Sequence, residues 1–242
     1  MPATPLEIVD LASGYGLTRV IEGLSLKVPA GARLAILGRN GVGKTTLLAT
    51  IAGHAHRFGG LIKMGGVELS ILPADARARA GLGYVPQTRD VFPSLSVEEN
   101  LYVGLKGRPR QEMEEAFALF PRLKERRRNL ASQLSGGEQQ MLAIARTILG
   151  KPSLLLLDEP LEGLAPTICD ELIAALSKLA EKGDITIVLV EQRIEYALGF
   201  ADNVVIMDRG RIVWSGPTSD LKAQPQTMDR HIGISRLDSR KG

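Results

Sequence analysis

Two kinds of hydrophobic pattern alternate along the chain. Apolar runs at residues 34–37, 154–157 and, with Thr186 as its one polar member, 185–190 show no polar alternation, the pattern of strands covered on both faces. Residues 204–207 resemble them. Other stretches carry apolar positions three and four apart, the spacing of one helix face. Residues 44–52 predict a helix after the first run, and Met141, Ile144, Ala145, Ile148 and Leu149 share a helix face ahead of the second. Strand and helix signals in alternation predict a largely parallel sheet. Residues 211–215 predict an edge hairpin with 204–207 across Asp208-Arg209-Gly210.

The N-terminal part reads differently. Residues 6–11, 24–28 and the glycine-containing 59–69 predict antiparallel strands, whereas signals from 97 to 149 are helical. The predicted fold is α/β. A core with a mostly parallel central sheet (1–88 and 153–242) carries an N-terminal antiparallel β subdomain and an inserted helical subdomain (89–152). No internal repeat is visible.

The length of 242 residues suits one large α/β domain. A formal net charge of +3 is too small to argue for nucleic acid. The basic cluster RLKERRR at 122–128 reads as a solvated helix face. Cys169 is the only cysteine, which leaves no intrachain disulfide and suits a reducing cytoplasm. The first residues lack the charged-then-apolar pattern of a secretion signal, and no apolar run is long enough to span a bilayer. Any membrane role would run through partner subunits.

Chemistry concentrates in three segments. Gly38-Arg39-Asn40-Gly41-Val42-Gly43-Lys44-Thr45 fits G-x-x-x-x-G-K-[ST] between a predicted strand and a predicted helix. The glycines allow backbone N–H groups to turn inward, and the helix aims its positive end at phosphates. Lys44 is expected on the β- and γ-phosphates and Thr45 on Mg²⁺, with Thr46 completing the run. Asp158 ends an apolar strand, at the sheet edge where open α/β folds bind ligands. It is expected to hold Mg²⁺ through water, and Glu159 to orient and polarise the attacking water. ATP and Mg²⁺ are the expected cofactors.

Ser135-Gly136-Gly137-Glu138 admits two readings. Ser135 and Glu138 form a capping box, enough for a well-capped helix and nothing more. A capping box does not require two consecutive glycines, and bare backbone at a helix N-terminus suits close approach of a phosphate. With a phosphate loop already present, Ser135, Gly136 and Gly137 are expected to serve the nucleotide of a second subunit.

On these motifs the chain resembles the ATP-binding subunits of ABC transporters over nearly its whole length. The resemblance implies a head-to-tail dimer with two sandwiched ATP molecules, each γ-phosphate capped by the opposite signature turn. It also implies that Tyr15 stacks on adenine. Gln87 would contact Mg²⁺ and the attacking water and sense the membrane subunits, while residues 161–165 would touch the dimer partner. Two positions depart from the family: Gln192 stands where a switch histidine is usual, and Ala165 where an aspartate is frequent. A glutamine can hydrogen-bond phosphate or water but cannot carry an imidazolium's charge.

Val190-Glu191-Gln192, Gly163-Leu164-Ala165-Pro166, SGGEQQMLAIA at 135–145 and Phe120-Pro121-Arg122-Leu123 resemble one branch, the second ATPase subunit of branched-chain amino acid importers. The branch implies several partners: a related but distinct ATPase (or a second copy when isolated), two membrane permeases and a periplasmic substrate-binding protein. It implies a peripheral location on the cytoplasmic face of the inner membrane. Glu162 beside Gly163 resembles the urea-type relatives, which keeps urea, amides and other amino acids open as cargo. A soluble ABC ATPase acting on nucleic acid or ribosomes, and a regulatory nucleotide module, are the readings from other classes. Residues 224–242 are polar and have no assigned role.

Overall fold

The computed structural model describes residues 2–232; residues 233–242 of the polar tail lie outside the described residues. The strands are β1 (Leu6–Tyr15), β2 (Thr18–Val28), β3 (Arg33–Leu37), β4 (His56–Met64), β5 (Val67–Glu68), β6 (Leu82–Val85), β7 (Leu154–Asp158), β8 (Thr186–Val190), β9 (Asn203–Asp208) and β10 (Arg211–Pro217). One sheet has the order β10-β9-β3-β8-β7-β6, with every pairing parallel except the edge hairpin β9–β10. The second sheet, β2-β1-β4-β5, is antiparallel throughout. The predicted α/β architecture, with its antiparallel N-terminal part, is therefore present.

The unbroken apolar runs are explained by what covers each side of the central sheet. Successive side chains of a strand point to opposite faces. In β7, Leu155 and Leu157 join one core while Leu154 and Leu156 join the other. In β8, Ile187 and Leu189 divide from Val188 and Val190 in the same way, and in β3 Ala35 and Leu37 divide from Leu34 and Ile36. One core contains Leu47, Leu48 and Ile51 of α1 (Lys44–Ala52), together with Leu6, Ile8 and Ile62 of the antiparallel sheet. The opposite core is filled from the helices that follow.

The remaining helices, of which α2 gives that core no side chain, are α2 (Ala74–Arg79), α3 (Val97–Gly104), α4 (Met113–Leu119), α5 (Pro121–Glu125), α6 (Gly136–Leu149), α7 (Pro166–Ala180), α8 (Ile194–Phe200), α9 (Thr218–Lys222) and α10 (Pro225–Ile232). The α6 face holding Met141, Ile144, Ala145, Ile148 and Leu149 is buried as its spacing predicts, and Leu142 and Ala143 are buried too. The basic cluster around α5 is a solvated face: only Leu123 turns inward, while Arg122 pairs with Glu171 at 2.7 Å and Lys124 with Glu114 at 2.8 Å.

Two strand expectations change in extent. The first two N-terminal strands run several residues beyond 6–11 and before 24–28, meeting in a tight hairpin after Tyr15. Residues 59–69 divide into the end of β4, β5, and the start of a 3₁₀ turn, Leu69–Ile71. Polar and glycine positions at 12–19 hide the strand continuity, because these ends are only half covered.

Candidate functional site

The phosphate loop joins β3 to α1. Gly38 has φ 154°, and a Cβ there would lie 2.4 Å from the Met207 carbonyl oxygen; the loop runs too close to β9 for a side chain. Gly43 caps α1 at φ 106° without a side-chain hydrogen bond, and no acidic residue occupies the helix's first turn. The positive end of α1 is thus answered by no acidic residue of its own first turn.

Lys44 is 4% exposed. Its Nζ donates to the carbonyl oxygens of Gly38 (2.9 Å) and Arg39 (3.1 Å) and lies 3.5 Å from Glu159 Oε1. Glu159 sits in the left-handed region at φ 47°, one residue past β7. Its Oε2 accepts from Gln192 Nε2 at 2.6 Å and from Gln87 Nε2 at 3.4 Å. Three sequence segments therefore converge on one carboxylate. A non-glycine residue held at positive φ where side chains converge is the kind of local strain found at functional sites.

Asp158 is fully buried. Thr45 Oγ1 donates to its Oδ1 at 3.2 Å, while Oδ2 is buried with no partner among the described residues. Burial, reinforced by the Glu159 charge against the opposing Thr45 hydrogen bond, pushes the Asp158 carboxyl up to about 6. An orphaned carboxylate oxygen beside a threonine hydroxyl fits a hard divalent cation, which takes oxygen ligands.

This burial has a pH consequence. Because the folded-state value lies above 3.8, the folded chain binds more protons than the unfolded one between about pH 4 and 6. The stabilising contribution is complete below the unfolded value and disappears as pH rises through about 6. Asp158→Asn keeps an acceptor for Thr45 without the buried charge. It is expected to stabilise the nucleotide-free chain at pH 7 by up to about 3 kcal/mol and to flatten the acid limb. Urea unfolding of both chains from pH 4 to 8 measures this; an unchanged profile would contradict the buried charge.

Lys44, Thr45, Thr46, Asn40, Gly41, Gly43, Gln87, Glu159 and Gln192 line one open cleft of about 410 Å³, with Val20 and Glu162. Gly38 and Arg39 border an adjacent hollow that also reaches Gln192. Val42 packs into the core behind the loop. Tyr15, half exposed at the tip of the β1–β2 hairpin, is not part of the cleft wall; Val20 on β2 is. Ser135, Gly136 and Gly137 are not part of that wall either.

The signature turn is a capping box in the structure: Ser135 Oγ accepts from Glu138 N at 3.3 Å, and Ser135 N donates to Glu138 Oε2 at 2.8 Å. Its glycines also have internal reasons. A Cβ on Gly137 would lie 2.8 Å from Ile168 of α7, and one on Gly136 would lie 2.6 Å from the Arg89 guanidinium. Packing accounts for Gly137, whereas Gly136 faces only the far end of a flexible side chain.

Three residues of this region carry more than sequence reasoning assigned them. Glu191 is 2% exposed. It accepts from the amides of Leu161 (3.3 Å), Gln192 (2.8 Å) and Arg193 (3.1 Å), and burial pushes its carboxyl up. It thereby joins the loop after Glu159 to the segment bearing Gln192. Arg89 donates to the Glu162 carbonyl oxygen at 3.3 Å, and Glu162 accepts from Gln87. The sequence signal for Glu191 is a charge directly after the apolar run 187–190; Arg89 and Glu162 lie in loops, and nothing in the sequence signals their contact with each other or with Gln87.

A glycine loop presenting a lysine and a threonine to a strand-end Asp-Glu pair defines a nucleotide-hydrolysing α/β core. The family model described as ABC transporter matches residues 21–162. The high-affinity branched-chain amino acid transport ATP-binding protein BraG of Pseudomonas aeruginosa is 40% identical over 94% of this chain and 99% of its own length. The probable branched-chain amino acid transport ATP-binding protein LivF of Archaeoglobus fulgidus is 34% identical over 89% of this chain and 93% of its own. A solved ATP-binding subunit of an ABC transporter superposes with a TM-score of 0.80 at 28% identity, covering 96% of each chain. The chain belongs to the ABC transporter family and is an ATPase.

Proposed function

We propose that this chain powers a membrane importer of branched-chain amino acids by binding and hydrolysing ATP. The observation that carries the chemistry is the convergence of Lys44, Gln192 and Gln87 on the Glu159 carboxylate. The cargo class is supported by the end-to-end likeness to the two branched-chain amino acid relatives.

In this reading, arriving phosphates replace the Gly38 and Arg39 carbonyls and Glu159 as partners of Lys44. The loop amides and the α1 N-terminus share the remaining negative charge. Thr45, Asp158 and Gln87 would hold Mg²⁺, which supplies charge neutralisation for the transferring phosphoryl group. Glu159, freed from Lys44, accepts the proton of the water attacking the γ-phosphorus. Gln192 donates a neutral hydrogen bond to Glu159 and positions it without offering a proton of its own. Tyr15 would reach adenine from the hairpin tip.

Ser135, Gly136 and Gly137 serve the nucleotide of a second, related ATPase subunit, so each pocket is completed across the dimer. Two permeases and a periplasmic binding protein complete the assembly, with this chain on the cytoplasmic face. No helix among the described residues is long and apolar enough to cross a membrane, which agrees with attachment through a permease. The seat for that contact is a groove between α2–β6 and α3–α6. Two hollows of about 420 and 330 Å³ there share Tyr84, Arg146 and Thr147. Exposed Tyr102 and Val103 of α3 lie nearby in the chain, and Pro86 joins the groove to Gln87.

The isolated chain is expected to hydrolyse ATP slowly and to accelerate at least tenfold on adding its partner ATPase and permeases. Steady-state phosphate release measures this. Full cooperative activity from the purified single chain would show instead that two copies complete each other's pockets.

A further inference from the structure

We propose that Glu162 is a positioning residue: it fixes the Gln87 amide so that oxygen, not nitrogen, is offered to the cation. This rests on the reading of Gln87 as a cation ligand. Gln87 Nε2 donates to Glu162 Oε2 at 2.5 Å and more distantly to Glu159 Oε2 at 3.4 Å. Both acceptors are carboxylates, which in ionised form only accept. The amide group facing them must be NH₂, and the carbonyl Oε1 is the end left for another partner.

The distinction decides the chemistry. An amide oxygen has lone pairs for a hard cation, whereas an amide NH₂ presents positive hydrogens to it. A glutamine free to flip would spend part of its time presenting the wrong end. Glu162 has the reach to prevent this because the turn after β7 folds it back: its amide donates to the Glu159 carbonyl at 3.1 Å, and both side chains enter the same cleft.

A second bond fixes the two loops against each other, since Arg89 Nη2 donates to the Glu162 carbonyl oxygen at 3.3 Å. Arg89 and the following Asp90 both have positive φ, 62° and 26°. Asp90 is held in turn by Arg146, whose guanidinium donates to its carbonyl. Consecutive positive-φ residues without glycine require such surroundings to persist. The Glu162 carboxylate is exposed and adds nothing to the core; orienting Gln87 is what its position allows.

The test uses the full chain and a non-hydrolysable ATP analogue, with binding followed as Mg²⁺ is titrated. Glu162→Ala is expected to raise the half-saturating Mg²⁺ about tenfold, the usual scale for an outer residue that orients a ligand. Analogue binding without Mg²⁺ should stay at the wild-type level, which checks that the cleft is intact. Glu162→Gln should recover most of the affinity, since its side-chain carbonyl still accepts from Gln87. Gln87→Ala should shift the Mg²⁺ midpoint at least as far as Glu162→Ala, and the double variant no further than Gln87→Ala alone. A wild-type midpoint in Glu162→Ala with a shifted one in Gln87→Ala would overturn the positioning role. A wild-type midpoint in Gln87→Ala would remove Gln87 as a cation ligand, and this inference with it.

Discussion

Glu159→Gln is expected to cut steady-state ATP turnover by on the order of 10³-fold, the scale of losing a positioned base, while ATP still binds. The structure adds a sign for the binding step. Glu159 is the anion beside Lys44, at 3.5 Å, with both side chains mostly buried in the cleft wall. Phosphate must displace it. Removing its charge takes away that competitor, so the variant should bind ATP as tightly as wild type or tighter. Phosphate release by the assembled complex, paired with an equilibrium binding isotherm on the chain, separates the two effects. Normal turnover would exclude Glu159 as the base. Weakened binding with normal turnover per bound nucleotide would make it a structural member of the pocket.

Lys44→Ala is expected to weaken ATP binding by about 3 kcal/mol, roughly a hundredfold in Kd, the value of a hydrogen bond to a charged group. The loss has two parts. The ammonium that answers the phosphates is gone, and the Glu159 carboxylate, left without its neighbouring cation, repels them. The fold should survive, because Lys44 contributes no apolar surface to either core. Calorimetric titration of ATP into wild type and variant reads the difference. Superimposable isotherms would contradict the assignment of residues 38–45 as the phosphate loop.

The central sheet was legible because its strands announce themselves. Leu154 to Leu157 are apolar at every position and the run at 185–190 at every position but Thr186, and only strands covered on both sides need that. Helix α1 was legible from its neighbours in the motif, and its observed limits, Lys44–Ala52, match the predicted 44–52. The hairpin extensions of β1 and β2 were not legible, since Ser13 and Gly14 have little strand preference and are set by pairing with β2 and β4. Helix α7 was also unmarked: Ala165 at its N-cap gives no side-chain hydrogen bond, and Pro166 is the only start signal.

Within the site, residues fixed by a spaced motif could be read directly. Lys44, Thr45, Asp158 and Glu159 follow from G-x-x-x-x-G-K-[ST] and from a strand ending in acids. What could not be read is how separate loops meet. Nothing in the order of residues brings Glu191 to the amide of Leu161 or Glu162 to Gln87; those contacts exist only once β7 lies between β6 and β8. The glycines of the signature turn show the converse. Their pairing suggested a bare phosphate seat, yet Gly137 is also required by the approach of Ile168.

The internal bonds of Lys44 have a consequence for which anions the loop accepts. Two carbonyls and a carboxylate already occupy the ammonium group, so a single phosphate or sulfate ion gains little by replacing them. Only a polyphosphate that engages the ammonium, the helix end and a cation together recovers more than it displaces. The loop thereby discriminates against the simple salts that surround the protein.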